Sequence, residues 1–346
     1  MARDGGNGKP PSPHVSVILV AFESGDTLAR CIAALRAQIF TDVEIILVDN
    51  GSSRGEARAA AEADPAIVLI EPGENLGFAA GVNRGAAVAA GRWLALINPD
   101  AYARPDWLGQ LVAATQAYPG VRSFASRQLM AEDPTRLDGL GDVMSITGFP
   151  FRGGYRGPDP GDTPVGEVFS ACGGAMLIER ALFHEMGGLD ERLFCYCEDV
   201  DLGYRLRLRG EPTLIVPQAV VLHEGSASTG GPRSDFATFH GTRNRLWVFV
   251  KNTPPLLFWL TAPLHLITTV ALFASHAAHG ELASPWRGLT AGFRHIGVAL
   301  AARREAQAAR TVGSWAIARA MTWSPLDILY RRIFIQRWRP SPPTGS

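Results

Sequence analysis

Residues 15–97 alternate short apolar runs with stretches of helical periodicity, and this alternation restricts the possible folds more than any other feature of the sequence. The apolar runs have the length of buried strands, and they lie at 15–20, 44–48, 66–70 and 93–97. The helical patterns between them lie at 26–35, 54–63 and 82–90. Parallel neighbours need a crossover connection, which a helix supplies. The sequence therefore predicts an α/β fold whose mixed, mostly parallel sheet is flanked by helices.

The fourth apolar run leads directly into two polar side chains held on either side of a proline, Asn98-Pro99-Asp100. Pro99 fixes its own φ and favours an extended conformation for Asn98. In open α/β sheets, ligands bind at the carboxyl ends of the strands. The oxygens of Asn98 and Asp100 are ligands that Mg²⁺ or Mn²⁺ prefers, with substrate phosphates completing the shell. A simple turn opened by Asn-Pro is the structural alternative.

Asp49 follows the second apolar run, so we expect it at the same edge of the sheet. An acid there can accept hydrogen bonds from a ribose or a base, while a metal farther along neutralises phosphates. The alternative is an Asn-Gly hairpin turn, but the helical run that follows favours a βα unit. The sequence contains no GxGxxG and no GxxxxGK[ST] motif, which argues against dinucleotide-binding and P-loop proteins.

A second acidic group, Glu198, Asp199 and Asp201, places three carboxylates within four residues. Unless a cation or a helix N-terminus compensates, at least one of them should have a raised pKa. A carboxylate at a helix start is held rigidly, as a general base must be. The structural alternative is an N-capped amphipathic helix with Leu202 and Leu206 inward and its arginines outward.

The formal net charge of zero is distributed unevenly along the chain. From Glu281 to the C-terminus there are ten arginines and three acidic residues, a net charge of +7, so the first 280 residues carry −7. Such asymmetry indicates an anionic partner such as a membrane surface. Residues 252–280 contain no acidic residue, lysine or arginine and are long enough to span a bilayer.

Three features argue against a transmembrane span in 252–280. Pro263 and His265 interrupt the apolar run, and a single crossing would place the basic tail outside, against the positive-inside tendency. A helix or helical hairpin embedded from the cytosolic side fits better. The soluble alternative is a helical subdomain packed on the sheet domain.

Four motifs occur in an informative order: Val-Ser-Val-Ile-Leu-Val at 15–20, Val48–Ser53, Asn75–Ala79 and Asn98–Asp100. This order resembles family 2 glycosyltransferases, and most closely their rhamnosyltransferase-like branch, over residues 15–250. The resemblance implies a GT-A fold, a nucleotide-diphosphate sugar donor, a divalent metal (Mg²⁺ or Mn²⁺) and inversion at the anomeric carbon. It also implies a lipid-linked or cell-envelope glycan acceptor and no nucleic-acid partner.

The resemblance assigns expected roles to the donor side. Asp49 would contact the nucleoside, Asn75, Gly77 and Phe78 would line the nucleotide pocket, and Asp100 would hold the metal beside Asn98. Such enzymes often have Asn-Tyr-Asn after the first strand, where this chain has Ala21-Phe22-Glu23. Glu23 is therefore a candidate substrate contact that leaves the base preference open.

The resemblance also assigns roles on the acceptor side. Asp199 matches the catalytic base, and Glu198 and Asp201 would orient the acceptor or tune the pKa of the base. His223 occupies the place of a late metal ligand, although a lone histidine after an apolar run is otherwise more often structural. Arg243 matches an Arg-Asn signature and would contact an anion, the alternative being a plain helix-surface residue.

Three other segments carry expectations. Paired glycines before a buried strand predict that Gly174 allows a close backbone approach, the alternative being a simple turn. The Gly-, Pro- and Asp-rich segment 132–166 is expected to be a long irregular loop that faces the acceptor, and the Gly/Ser-rich segment 226–233 is expected to close over the diphosphate.

The chain is thus divided into a disordered lead-in at 1–13, a catalytic domain at 14–250 and a helical, basic, membrane-associated region at 251–346. Within the catalytic domain, 14–100 form the nucleotide-binding half and 101–250 the acceptor half. The lead-in lacks the apolar core of a signal peptide, and the four cysteines lack a CxxC or zinc spacing, which favours reduced thiols. We therefore expect a cytoplasmic protein at the inner face of the cell membrane. A nucleotidyltransferase and a catalytically silent nucleotide-sugar-binding or membrane scaffold protein are the alternatives.

Overall fold

The computed structural model describes residues 13–225 and 234–339. The predicted lead-in, except Pro13, and the segment predicted to close over the diphosphate lie outside these ranges. The strands of the described part are β1 (Val15–Ala21), β2 (Val43–Asp49), β3 (Ile67–Ile70), β4 (Trp93–Ile97), β5 (Ala101–Ala103), β6 (Ser123–Met130), β7 (Leu137–Leu140), β8 (Asp142–Met144), β9 (Pro150–Arg152), β10 (Gly166–Val168), β11 (Ala175–Glu179) and β12 (Thr213–His223). The α-helices are α1 (Asp26–Arg36), α2 (Glu56–Ala63), α3 (Phe78–Val88), α4 (Trp107–Ala117), α5 (Arg180–Glu185), α6 (Glu198–Leu208), α7 (Asp235–Asn252), α8 (Pro255–Ala278), α9 (Ala283–Arg294), α10 (Ile296–Ala308), α11 (Ser314–Ala320) and α12 (Pro325–Tyr330).

Ten strands form one mixed sheet with the order β10-β12-β6-β11-β4-β1-β2-β3, to which β5 and β7 add at β12 and β6. Strands β3, β2, β1 and β4 are parallel, as the alternating pattern predicts. Strand β11 runs antiparallel between β4 and β6, and β12 is parallel to β6. Because β4, β6 and β12 therefore point the same way, their carboxyl ends meet at one edge of the sheet.

Helices cover both faces of this sheet. Strand β1 is buried along its whole length, which explains why it reads as a continuous apolar run rather than an alternating one. On one face, alternate strand residues pack with α1, α2 and α4, and on the other face the remaining residues pack with α3, α5 and α6. The fold is a three-layer α/β/α arrangement, and the predicted fold class is confirmed.

The C-terminal helices pack against the catalytic domain through a third apolar cluster. This cluster joins α6 and α7 to α8, α10 and α11 through side chains such as Tyr204, Trp247, Leu257 and Ala306. Helix α7 continues to Asn252, so the boundary expected at residue 250 falls inside a helix. The helices after residue 250 therefore pack directly against the sheet domain.

The last described residues return to the sheet. Gln336 and Glu167 exchange both of their backbone hydrogen bonds, at 2.7 and 2.8 Å. Ile333 and Ile335 pack against the core cluster beneath α3, α5 and α6, and Trp338 packs against the cluster on the other face. The segment 331–338, expected to be membrane-associated, forms part of the catalytic domain in this structure.

Candidate active site

A cavity of about 720 Å³ opens at the carboxyl edge of the sheet. Its wall includes Asn50 after β2, Asn98 and Asp100 after β4, and Asp199 in the first turn of α6. Asp100 and Asp199, which lie about a hundred residues apart in the sequence, therefore share one cavity. Parallel strands bring their ends together at this edge, which is where ligands bind in sheets of this kind.

The polar end of β4 is fixed by its neighbours on both sides. The Asn98 backbone N–H donates to the carbonyl of Gly174 at 3.0 Å, and the Glu224 N–H donates to the carbonyl of Asp100 at 3.0 Å. A Cβ at Gly174 would lie 3.3 Å from the Asn98 side-chain nitrogen. Only a small residue fits there, so the predicted close backbone approach is present.

Acidic and basic side chains alternate in a row of contacts that begins at Asp100. His223 Nε2 lies 3.2 Å from Asp100 Oδ1, and His223 Nδ1 lies 2.7 Å from Asp138 Oδ2. Arg152 forms an ion pair with the same Asp138 carboxylate. The two carboxylates raise the pKa of His223 to about 9 although burial opposes this, and Arg152 and His223 lower the pKa of Asp138 against its burial.

The donor set fits a divalent cation held jointly with a substrate. The Asp138 carboxylate holds Nδ1 of His223, which leaves Nε2 beside Asp100. No group of three His, Cys, Asp or Glu side chains within 13–225 and 234–339 is arranged to hold a metal by itself. Asp100 would therefore supply one ligand and His223 a second once its Nε2 has released its proton, and phosphate oxygens would supply others, as is usual for Mg²⁺ sites.

Asp199 belongs to the second acidic group in the wall of the cavity. Its Oδ2 accepts a hydrogen bond from the Gly173 N–H at 2.9 Å, and its Oδ1 accepts one from the Val200 N–H at 2.8 Å. Both donors are backbone groups, so the carboxylate has a fixed direction at the start of α6. Such fixed placement is what a general base needs.

Two buried carboxyl groups surround Asp199. Glu198 and Asp142 are almost fully buried, and burial, followed by the nearby charge of Asp199, raises the pKa of each well above its usual range. Oε2 of Glu198 has no hydrogen-bond partner among the residues that the structure describes. The expected raised pKa in this acidic cluster is therefore found at Glu198, and it is also found at Asp142.

The loop before α6 is held in a rare backbone conformation. Phe194, Tyr196 and Cys197 have φ values of 67°, 69° and 66°, each costing on the order of 1–3 kcal/mol for a residue other than glycine. The fully buried Asn244 restrains this loop, because its Nδ2 lies 2.8, 2.9 and 2.7 Å from the carbonyl oxygens of Leu193, Cys195 and Tyr196. Asn244 thus positions the backbone that carries Asp199.

The predicted nucleotide pocket is built around asparagine contacts. Asn75 Oδ1 accepts from Asn50 Nδ2 at 3.0 Å and from the Gly77 N–H at 2.9 Å. Gly77 has φ of 84°, and a Cβ there would lie 2.6 Å from Phe194, so no larger residue fits. Asn75, Gly77 and Phe78 all line the cavity.

Other predicted substrate contacts lie outside the cavity wall. The Asp49 carboxylate accepts from the Ser52 N–H at 2.9 Å, and the Glu23 carboxylate accepts from the Ser53 N–H at 2.8 Å. Arg243 donates to the carbonyl of Leu193 at 2.9 Å and so supports the same loop as Asn244. In this structure these three side chains shape the loops around the cavity.

The expectation that Asp201 orients the acceptor is not supported. Its carboxylate is fully buried and lies 2.9 Å from Lys251 Nζ, 2.8 Å from Arg205 Nε and 2.7 Å from Asn252 Nδ2. These partners compensate its burial and lower its pKa. The arginines of α6 also point inward rather than outward, because Arg205 pairs with Asp201 and Arg207 pairs with Glu167.

Sequence reasoning did not identify Asp138, Asp142, Arg152, Asn244 and Arg331 as site residues. The first three belong to the segment expected to be irregular, which instead contains β7, β8 and β9. Alternating apolar and charged residues in the short runs around Asp142 and Arg152 are the available signal, but runs of three residues give it little weight.

Comparison with known proteins identifies the family of the chain. The model of the family "Glycosyl transferase family 2" matches residues 16–187. The N-acetylglucosaminyl-diphospho-decaprenol L-rhamnosyltransferase of Mycobacterium tuberculosis is 32% identical over 277 residues, which cover 72% of this chain and 87% of that protein. The O-antigen biosynthesis protein RfbC of Myxococcus xanthus is 30% identical over 287 residues, which cover 78% of this chain and 22% of that longer protein.

Two solved structures share the fold at low sequence identity. The mannosyltransferase PcManGT of Pyrobaculum calidifontis, in complex with GDP-Man and Mn²⁺, has a TM-score of 0.53 at 19% identity, covering 89% of this chain and 84% of its own. GalNAc-T7 with UDP, GalNAc and Mn²⁺ has a TM-score of 0.56 at 18% identity, covering 70% of this chain and about half (48%) of its own.

The fold is the GT-A fold of these glycosyltransferases. On the sequence comparisons, the chain belongs to glycosyltransferase family 2. The resemblance seen in the sequence is thereby confirmed at the level of the family, with a rhamnosyltransferase among its relatives.

Proposed function

We propose that the protein is a metal-dependent, inverting glycosyltransferase that moves a sugar from a nucleotide-diphosphate donor to a lipid-linked glycan at the inner face of the cell membrane. The observation that carries this proposal is the shared cavity of Asp100 and Asp199. A pure binding protein has no need for a rigidly held carboxylate in the same cavity as a pair of metal ligands.

The residues of the chain divide the chemistry between them. Asp199 would accept the proton of the acceptor hydroxyl as that oxygen attacks the anomeric carbon from the face opposite the leaving diphosphate. Asp100 and His223 would hold Mg²⁺ or Mn²⁺, which when bound neutralises the charge that develops on the diphosphate. Asn50, Asn75 and Phe78 line the part of the cavity where the nucleoside would lie.

The substrates are proposed from the similar proteins. The Mycobacterium tuberculosis relative is named for L-rhamnosyl transfer to an N-acetylglucosaminyl-diphospho-decaprenol. We propose rhamnose as the sugar and a polyprenyl-diphosphate-linked glycan as the acceptor, in the synthesis of a cell-envelope polysaccharide.

Membrane association is proposed from the exposed surface of α8. The helix has 24 residues and a mean hydropathy of 1.8 in its most apolar window, of which only 22% is buried. Trp259, Leu260 and Ile267 are 75%, 66% and 64% exposed. An apolar surface of this kind marks an interaction site, and with the arginine-rich tail it suits an anionic lipid surface.

The experiment that tests the proposal measures transfer directly. Purified full-length protein is incubated with Mn²⁺, a panel of nucleotide sugars and a short-chain prenyl-diphospho-N-acetylglucosamine. We expect transfer with one donor, formation of a product with inverted anomeric configuration, and loss of turnover on chelation. The Asp100→Ala variant should lose the Mn²⁺-dependent part of donor binding in calorimetry, since it lacks one of two protein ligands.

Asp162→Ala is the matched control, because Asp162 is an exposed aspartate outside the cavity. Donor binding without hydrolysis or transfer for every sugar would favour a silent binding protein. Equal Mn²⁺-dependent binding by Asp100→Ala and the wild type would remove Asp100 from the metal site.

A further inference from the structure

Two arginines from distant parts of the chain lie beside one aromatic ring. The guanidinium of Arg245 in α7 is 5.3 Å from the ring centre of Phe149, and that of Arg331, just after α12, is 5.7 Å from the same ring. Arg331 also lies 5.8 Å from the ring centre of Phe151. We call Arg245, Arg331, Phe149 and Phe151 the arginine pair and its aromatic platform.

Neither guanidinium group has a carboxylate partner or donates a hydrogen bond among residues 13–225 and 234–339. Both are partly buried, and burial lowers the pKa of Arg331 and lowers that of Arg245 to about 10, so both stay charged at neutral pH. Their neighbour Arg152 differs, because it is paired with Asp138. Burying an unpaired charge is costly, and a bound anion would compensate that cost.

The arginine pair borders the cavity through Arg331. Arg331 and Phe151 line the same cavity as Asp199. Phe151 belongs to β9, whose partner β8 begins with Asp142, and the charge of Asp199 acts on Asp142. The predicted donor contacts Asn50, Asn75 and Asn98 instead follow the parallel strands of the first hundred residues.

The same segment connects the cavity to the exposed apolar helix. The turn between β8 and β9 carries Thr147, whose carbonyl oxygen lies 2.8 Å from Nδ1 of His265 in α8. His265 is flanked by Leu264 and Leu266, which are 41% and 63% exposed. Leu329 and Tyr330, directly before Arg331, are 69% and 64% exposed. Apolar surface therefore borders the arginine pair on two helices.

We propose that the arginine pair binds the phosphate groups of the lipid-linked acceptor, with Arg331 in direct contact and Arg245 reinforcing the positive charge beside Phe149. The lipid chain would follow the apolar surface of α8 and α12, and the sugar would extend toward Asp199. Arginine suits this role because its planar guanidinium binds phosphate oxygens in pairs and stacks on aromatic rings. The inference rests on the proposed function, since it identifies the acceptor site of that reaction.

The test measures binding of defined probes to the full-length protein in nanodiscs. The probes are farnesyl diphosphate, farnesol, inorganic pyrophosphate, and UDP with Mn²⁺. For Arg331→Gln we expect affinity for farnesyl diphosphate to fall about tenfold or more, which corresponds to roughly 1.4 kcal/mol. Binding of farnesol and of UDP with Mn²⁺ should change less than twofold. Arg245→Gln should show a smaller loss in the same direction.

Arg337→Gln is the matched control, because Arg337 is an exposed arginine in the same tail and lies outside the cavity. Arg331→Lys, which keeps the charge without the planar fork, should recover part of the affinity and excludes misfolding as the cause. An equal loss for farnesol or for Arg337→Gln would overturn the proposal, as would unchanged farnesyl diphosphate binding.

Two further outcomes separate the possible sources of the anion. A loss of UDP binding in Arg331→Gln would overturn the proposal by assigning the arginine to the donor diphosphate. Inorganic pyrophosphate that competes as well as farnesyl diphosphate would overturn the lipid assignment. If Arg331 proves necessary for farnesyl diphosphate binding while no sugar is transferred to any acceptor, the anion site stands and the proposed transferase function fails.

Discussion

The two acidic ends of the cavity differ in how their charges are balanced. At the metal end, Asp100 and Asp138 flank His223, and Arg152 pairs with Asp138. At the base end, Asp142, Glu198 and Asp199 lie together, and the two that flank Asp199 have raised pKa values. The pKa of Asp138, by contrast, is lowered although that residue is equally buried.

This difference shows that burial alone does not set the protonation of an acid. Asp138 stays ionised because Arg152 and His223 contact it, whereas burial, followed by the nearby charge of Asp199, raises the pKa of Glu198 and Asp142. Asp199 differs from both, because the backbone N–H groups of Gly173 and Val200 hold its carboxylate in a fixed direction, as a general base requires.

The largest effect should come from removing the charge at Asp199. Asp199→Asn keeps the size of the side chain but cannot accept the acceptor proton, so we expect the transfer rate to fall roughly 10²- to 10⁴-fold. Donor binding should be retained, because the metal end is untouched. Steady-state kinetics with calorimetry of donor binding would separate the two. Turnover equal to the wild type would show that the base end holds no general base.

A smaller effect is expected at the metal end from Asp138→Asn. The substitution removes the carboxylate that fixes His223 Nδ1, and loss of such second-shell partners typically costs about 10- to 100-fold in metal affinity. Mn²⁺ titration in the presence of UDP measures this. Asp133→Asn, at a half-exposed aspartate near the start of the same segment, is the control. An unchanged Mn²⁺ affinity would mean that His223 lies at the metal end only as a structural residue.

The smallest effect is expected for Glu198→Gln, in the pH dependence of the free energy of unfolding. It tests the difference between the two acidic groups most directly. Folded Glu198 keeps its proton above the usual glutamate pKa of about 4.3, whereas the unfolded chain releases it there. The folded wild type therefore loses stability as pH rises through the window between these two pKa values, by up to roughly 1.4 kcal/mol per pH unit. Glutamine does not titrate, so the variant should become more stable relative to the wild type as pH rises.

Chemical unfolding at several pH values between about 4 and 8 checks this prediction. Glu62→Gln, at an exposed glutamate, should show no such trend. A stability difference that stays constant with pH would mean that Glu198 is ionised in the folded protein, and the contrast between the two ends would then be lost.

The donor side of the site could be predicted from the sequence because its signals are local. Strand β4 was expected at 93–97 and is observed at Trp93–Ile97, followed directly by Asn98 and Asp100. A buried strand, a proline and two polar side chains lie within eight residues, so their relative positions depend mainly on local backbone geometry. The rest of the site could not be predicted in this way, because Asp138, Asp142 and Arg152 come from short strands whose pairing depends on partners elsewhere in the sheet.

The sequence by itself determined the alternating α/β architecture, the family and the two acidic groups, because apolar periodicity and ordered motifs are properties of contiguous residues. Only the tertiary structure decided which charges meet. Asp201 pairs with Lys251 and so does not share the role of its sequence neighbours Glu198 and Asp199. Arg331, which follows the C-terminal helices, lines the cavity. The physical reason is that the state of a buried charge depends on the groups in contact with it, and those groups come from distant parts of the chain.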